Sequence, residues 1–164
     1  IGACTGAKYS DLKMAASILK GHQVAATTRL LVAPASTKAT IQAAADGTLA
    51  ADVRALVRLS IGPIRAEAGT RAMLRRAMEE VVAVARAKGI DLAADVVDRH
   101  METVDGLPGD FTSSMHHDLS RGKRLELPWL SGAVAGLGRD LGVPTPTHDA
   151  IRTALKLHAD GRAP

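Results

Sequence analysis

TRAMLRRAMEEVVAVARAK, residues 70–88, decides the fold class. Leu74, Met78, Val81 and Ala85 recur at spacings of three and four, so on a helix they line up as one apolar stripe. Arg71, Arg75, Glu79 and Arg86 fall among the polar positions. Gly89 follows directly, and glycine suits the residue just past a helix end. The pattern continues on the C-terminal side. Residues 93–104 show helical spacing again, and Gly106, Pro108 and Gly109 form the loop after them. Residues 112–120 make a short helix. Residues 129–141 read as a helix rich in small residues, with Gly132, Gly136 and Gly138 suited to close helix contact. Pro144 and Pro146 break the chain, and Thr147 can cap a last helix running through His158. On the N-terminal side Ile61-Gly62-Pro63-Ile64 reads as a turn. From about Leu49 onward the pattern is helices only, and a mainly α helical bundle is expected.

Residues 1–48 differ. Ile1-Gly2-Ala3-Cys4-Thr5-Gly6 reads as a strand end running into a glycine-punctuated turn. Residues 9–20 then place Leu12, Ala15, Ala16 and Leu19 on one helix face, ended by Gly21. Residues 29–33 read as a buried strand closed by Pro34, and Ser36 can cap a second helix through Ala45, ended by Gly47. This β-α-β-α order is the start of a parallel α/β unit. Two strands do not make a stable sheet, so the segment belongs to something larger, in keeping with a chain that begins at Ile1 without Met. The expected division is an α/β piece over 1–48 and an all-helical domain over 49–164.

Composition narrows the function classes. In 164 residues 46% are hydrophobic but only 2% aromatic: Tyr9, Phe111 and Trp129. Alanine, leucine and valine suit close-packed helices, whereas base stacking has almost nothing to work with. Lysine and arginine total 21 against 17 carboxylates. That surplus is spread along the chain without a basic stripe, so no nucleic-acid partner is expected. A single cysteine, Cys4, excludes an internal disulfide. With no apolar run of about 18 residues and no signal-peptide pattern, neither a membrane partner nor secretion is expected, and the location is read as cytoplasmic.

Chemistry-bearing residues concentrate in residues 111–132, FTSSMHHDLSRGKRLELPWLSG. Ser114 and Asp118 are four apart and share a helix face. Glu126 sits at the mouth of the next helical pattern, where the helix dipole favours a carboxylate. Each has a simpler reading: Ser114 as a helix cap, Asp118 as a partner of Arg121, Glu126 as a dipole complement. The turn Arg121-Gly122-Lys123-Arg124 is either solvated or steers an anionic substrate or cofactor phosphate. His116 and His117 point about 100° apart on a helix and lack a third ligand, so no metal is expected. His100, His148 and His158 are scattered and read as ordinary, and Trp129, just after Pro128, reads as a core anchor at a helix start.

Two resemblances follow from these residues. GACTGAKYSDLKMAASILKG and RLLVAPAS, within residues 1–48, resemble the large subunit of the aconitase and isopropylmalate dehydratase family. There the cysteine matching Cys4 is one of three thiolates holding a 4Fe–4S cluster. This chain has no second cysteine, so no iron–sulfur cluster is expected. From about Leu56, LVRLSIGPIRAEAGTRAML, TSSMHHDLSRGKRLELPWLSGAV and GVPTPTHDAIRTALKLH resemble the C-terminal domain of the ketopantoate reductase (2-dehydropantoate 2-reductase) family. That resemblance implies a helical substrate and dimerisation domain, NADPH as cofactor, and a small 2-keto acid as substrate. It gives Ser114 a substrate contact, Asp118 a supporting substrate-binding role, and Glu126 a catalytic hydrogen bond at the reacting centre. The family's Gly-rich phosphate loop has no match, because Gly132, Gly136 and Gly138 fall inside a helical pattern. The family's lysine and asparagine helix is likewise unmatched, and the sequence contains no asparagine. The chain is therefore expected to be inactive by itself. A non-catalytic helical module that forms a homodimer is the alternative, and a fragment of an iron–sulfur hydro-lyase is the third reading.

Overall fold

The computed structural model describes residues 50–161, all within the second of the chain's two units, Ala44–Pro164. The expected β-α-β-α segment and Cys4 lie outside the described residues. Those residues are helical and contain no strand. In order they form α1 (Ala50–Val57), α2 (Ile61–Ala66), α3 (Ala68–Ala87), α4 (Val96–Asp105), α5 (Ser114–Ser120), a 3-10 turn (Leu127–Trp129), α6 (Ser131–Leu141), α7 (Pro146–Leu155) and a final 3-10 turn (Lys156–His158).

The stripe read in residues 70–88 is the buried face of α3: Leu74, Met78, Val81 and Ala85 are at most 3% exposed. Around it gather Val53, Ile61, Ile64, Met101, Met115, Leu125, Ile151 and Leu155. Burying side chains of this size contributes about 1.5–3 kcal/mol each, and α1, α2, α4, α6 and α7 all pack against α3. Glu67 starts α3 by accepting from the N–H groups of Gly69 and Thr70 at 2.8 and 2.6 Å. These two bonds hold the Glu67 carboxyl below its ordinary range. Arg71 pairs with Asp105 through two hydrogen bonds, the second at 2.8 Å, and Arg75 reaches Asp98 at 2.7 Å, tying α3 to α4.

The stretch read as a turn at Ile61–Ile64 is instead the start of α2. Pro63 sits in its first turn, where proline loses no hydrogen bond. Backbone carbonyls from the 109–111 loop satisfy its first N–H groups: Ile61 N–H donates to Phe111 O at 3.0 Å and Gly62 N–H to Gly109 O at 2.8 Å. A side chain at Gly62 would place Cβ 2.7 Å from Gly109 O, so this approach requires glycine. Arg65, at the other end of α2, donates from Nη1 to the carbonyls of Val104, Asp105 and Leu107 at 3.1, 2.8 and 2.7 Å. It thereby caps the C-terminus of α4, where a cation also suits the dipole. Together these contacts pin the loop that leads into α5.

Candidate functional site

Ser113, not Ser114, caps α5. Its hydroxyl accepts from His116 N–H at 3.2 Å, and Ser113 is only 6% exposed. Ser114 is therefore the first residue of α5, exposed, and its hydroxyl makes no hydrogen bond among the described residues. Asp118 follows one turn later, half-buried, and pairs with no cation among the described residues; the expected partner Arg121 is exposed. Glu126 lies just before the 3-10 turn without capping it by its side chain. Its charge is felt at Asp52, at the start of α1. Ser114 and Asp118 thus lie on α5, which packs against α1, and Glu126 just before the 3-10 turn; among the described residues no hydrogen bond joins the three. His117 bonds Thr112 through Nε2 at 2.8 Å. Among the described residues no group of histidine, cysteine and carboxylate side chains is placed to hold a metal.

Trp129 is 57% exposed, a correction to its reading as a core anchor. Leu127 fills the core position instead, and Arg124 lies over the Trp129 ring at 5.4 Å. The 3-10 turn rotates the tryptophan outward, which helical spacing from residue 129 does not anticipate.

Sequence reasoning missed Arg54. It lies in α1, which packs against α5, and is 4% exposed. Its Nε and Nη1 have no hydrogen-bond partner. The guanidinium stands 5.0 Å from the centre of the Phe111 ring, three residues before Ser114. Burial alone lowers its pKa. A buried cation without an anion is costly, and such a group calls for an explanation in ligand or proton chemistry. The visible signal was a pair of arginines four apart, Arg54 and Arg58, in an otherwise apolar run.

Also missed was a fully buried polar network. Asp52, Ser131 and His148 are each 0% exposed. Asp52 Oδ2 accepts from Ser131 N–H at 2.9 Å and meets Ser131 Oγ in a short hydrogen bond. Ser131 Oγ meets His148 Nδ1 at 3.1 Å, and His148 Nε2 donates to Ala77 O at 3.0 Å. The carbonyl can only accept, so the imidazole proton is on Nε2 and the neutral ring must accept at Nδ1. The Ser131 hydroxyl proton then points to His148, and the proton between Ser131 and Asp52 belongs to Asp52. Burial agrees with this assignment. Desolvation pushes the Asp52 carboxyl up to about 7 and lowers the His148 imidazole. Glu80 supports the site from α3 by accepting from Thr147 and His148 N–H at 2.8 and 3.0 Å, so the cap expected from Thr147 comes from Glu80. His148 is therefore no ordinary histidine. With no solvent access, the network is a structural lock between α1, α3, α6 and α7.

The described residues do not fit a dinucleotide cradle. No strand precedes a glycine-rich turn among them, and the glycines of α6 serve packing: a Cβ at Gly138 would meet Val143 O and Thr145 Cγ2 at 2.7 Å.

Comparison with known proteins places this arrangement. The family model described as ketopantoate reductase PanE/ApbA, C terminal, matches residues 38–159, so α1 with Arg54 falls inside the match. The aconitase family (aconitate hydratase) model matches residues 1–54. A 2-dehydropantoate 2-reductase from Mesorhizobium japonicum is 37% identical over 104 residues, 63% of this chain and 31% of that protein. The 3-isopropylmalate dehydratase large subunit of Herpetosiphon aurantiacus is 50% identical over 50 residues, 30% of this chain and 12% of that protein. The crystal structure of a PanE/ApbA family ketopantoate reductase from Ralstonia eutropha superposes with a TM-score of 0.63 at 31% identity, covering 74% of this chain and 39% of that one. The chain spans about a third of the length of the reductases it matches. Through its helical part, this chain belongs to the ketopantoate reductase PanE/ApbA C-terminal family.

Proposed function

We propose that the helical domain is the substrate side of an NADPH-dependent reductase acting on 2-dehydropantoate. The observation that carries this reading is the division of labour between two serines: Ser113 takes the cap, so Ser114 keeps a free hydroxyl at the exposed start of α5. A 2-keto acid needs a donor for its carboxylate and an acid or fixed donor where charge develops on the reacting oxygen. Ser114 donates to the substrate's polar end, and Arg54 supplies the opposing charge for its carboxylate. Glu126 hydrogen-bonds the hydroxyl side of the reacting centre, and Asp118 supports from the next turn of α5. The dinucleotide, which would supply the hydride, is held by elements outside the described residues, because those present offer it no cradle. The full chain is expected to bind 2-dehydropantoate saturably, with Ser114→Ala and Glu126→Gln each weakening binding about tenfold. NADPH oxidation by the chain alone is expected to be absent. Binding unchanged by both substitutions would overturn the assignment of this edge, and turnover by the chain alone would overturn the inactivity.

A homodimer is proposed alongside. Leu59, Phe111, Trp129 and Leu157 are large apolar residues 42–81% exposed, the kind of surface that pairs subunits. Sedimentation over a range of concentrations tests it, and a monomer throughout would count against it.

A further inference from the structure

We propose that the cleft between the end of α1, the turn after α5 and the 158–161 segment binds a phosphate group. The cleft has a volume of about 330 Å³ and is lined by Arg58, Leu119, Ser120, Arg121, Gly122, Lys123, His158 and Gly161. Three permanent cations and a histidine converge there from three separate segments, and no carboxylate of the described residues lines it. Among the described residues none of Arg58, Arg121 and Lys123 is in an ion pair. Asp118, next to Leu119, does not line the cleft, and Asp160, next to Gly161, has a side chain 97% exposed and lies 3.9 Å from Arg124 instead.

Backbone geometry shows that the convergence is built. Among the described residues five have positive φ, and three of them line this one cleft: Arg58 at 57°, Gly122 at 61° and Gly161 at 102°. Arg58 is the non-glycine member. A left-handed arginine is strained, and such residues persist where the surroundings require them, often at ligand sites. Its N–H closes α1 on Arg54 O at 2.9 Å, and the reversal turns the side chain into the cleft. The opposite wall is fixed by Leu125 N–H donating to Ala159 O at 2.9 Å. A Cβ at Gly161 would lie 3.0 Å from Gly122 O, so the two glycines let the tail seat on the turn.

Charge counting selects the ligand class. Two helix C-termini, of α1 and α5, end here and bring together about one negative charge. Against three fixed cations that leaves a net positive cleft, the complement of a multiply charged phosphate rather than of a monocarboxylate. Arginines bind phosphate oxygens through paired N–H groups, and Lys123 adds a point charge. The site is independent of the roles proposed for Ser114 and Glu126.

Isothermal titration of the full chain with sodium pyrophosphate, at ionic strength fixed with sodium chloride, tests the proposal. Saturable binding is expected, at least tenfold weaker in Arg58→Gly/Lys123→Gln. Glycine preserves the left-handed backbone while removing the cation, so the melting temperature should not fall. Lys123→Gln alone, on an exposed turn, should weaken binding about threefold without touching the backbone. Acetate should not saturate. NADP displacing pyrophosphate where NAD does not would assign the phosphate to a dinucleotide 2′-phosphate; neither displacing it would assign a smaller phosphate ester. Either result supports the site. No saturable pyrophosphate binding, binding unaffected by the substitutions, or acetate binding as well as pyrophosphate would overturn it.

Discussion

Serine, histidine and aspartate come together twice in this domain, under opposite conditions. At the α5 edge Ser114, His117 and Asp118 sit within one helix, the first two exposed and Asp118 half-buried. At the centre Asp52, Ser131 and His148 come from three helices and see no water. The exposed set keeps unused hydrogen-bonding capacity, which is what a ligand needs. The buried set uses nearly all of its capacity internally, which is what a fold needs. Only Asp52 Oδ1 is left over, a modest cost for a neutral acid. Residue type therefore says little about role until burial is known.

Substitutions should separate the two sets by size of effect. The largest concerns protons. Asp52 alone, with its pKa raised from 3.8 to about 7, stabilises the fold fully below pH 3.8 and loses that contribution as pH rises through 7. Over that window the loss is roughly 4 kcal/mol. His148 alone, lowered from 6.5, has the opposite sign: its contribution is present above 6.5 and is lost as pH falls through its folded value. Below pH 6.5 and above the folded value of His148 the two slopes oppose each other, because there folding releases a proton from histidine and takes one up on aspartate. Wild-type stability from this network should therefore change less with pH below 6.5 than Asp52 alone would make it, and fall from 6.5 to 7. In His148→Gln the Asp52 slope is uncovered, and denaturant melts should show stability falling steadily from pH 4 to 7. A flat profile in that variant would mean Asp52 is ionised in the fold.

Next in size, Ser131→Ala strands both its partners and should cost about 2–4 kcal/mol at pH 6 in urea unfolding. Glu80→Ala removes the cap from the start of α7 and should cost about 1–2 kcal/mol. Arg71→Ala breaks an exposed ion pair with Asp105 and should cost under about 1 kcal/mol, shrinking further in high salt. At the open edge Ser114→Ala should change stability by less than about 0.5 kcal/mol. A large loss there would erase the distinction between the two regions.

The same contrast explains what was legible in the sequence. The α3 stripe was readable because helical periodicity is local, and so was the edge, whose residues lie within one short segment. The buried network was not, since Asp52 and Ser131 are 79 residues apart. Nothing in LSGAVAG or PTHDAI marks Ser131 and His148 as partners. Helix α2 was hidden by Gly62 and Pro63, whose usual meaning as turn residues was overridden by the close approach of Gly109 and the tolerance of proline in a first turn. Trp129 was misplaced because a 3-10 turn changes the angular spacing by which faces are counted. Arg54 showed its charge in an apolar run, but its lack of a partner is a property of the packed state alone.

The central claim is that the open edge, not the buried network, meets the substrate. Titrating 2-dehydropantoate into the full chain and its Ser114→Ala variant tests it most directly. Saturable binding that weakens about tenfold in the variant, at an unchanged melting temperature, is the result expected. Equal binding by the two proteins, or no saturable binding by the wild type, would contradict it.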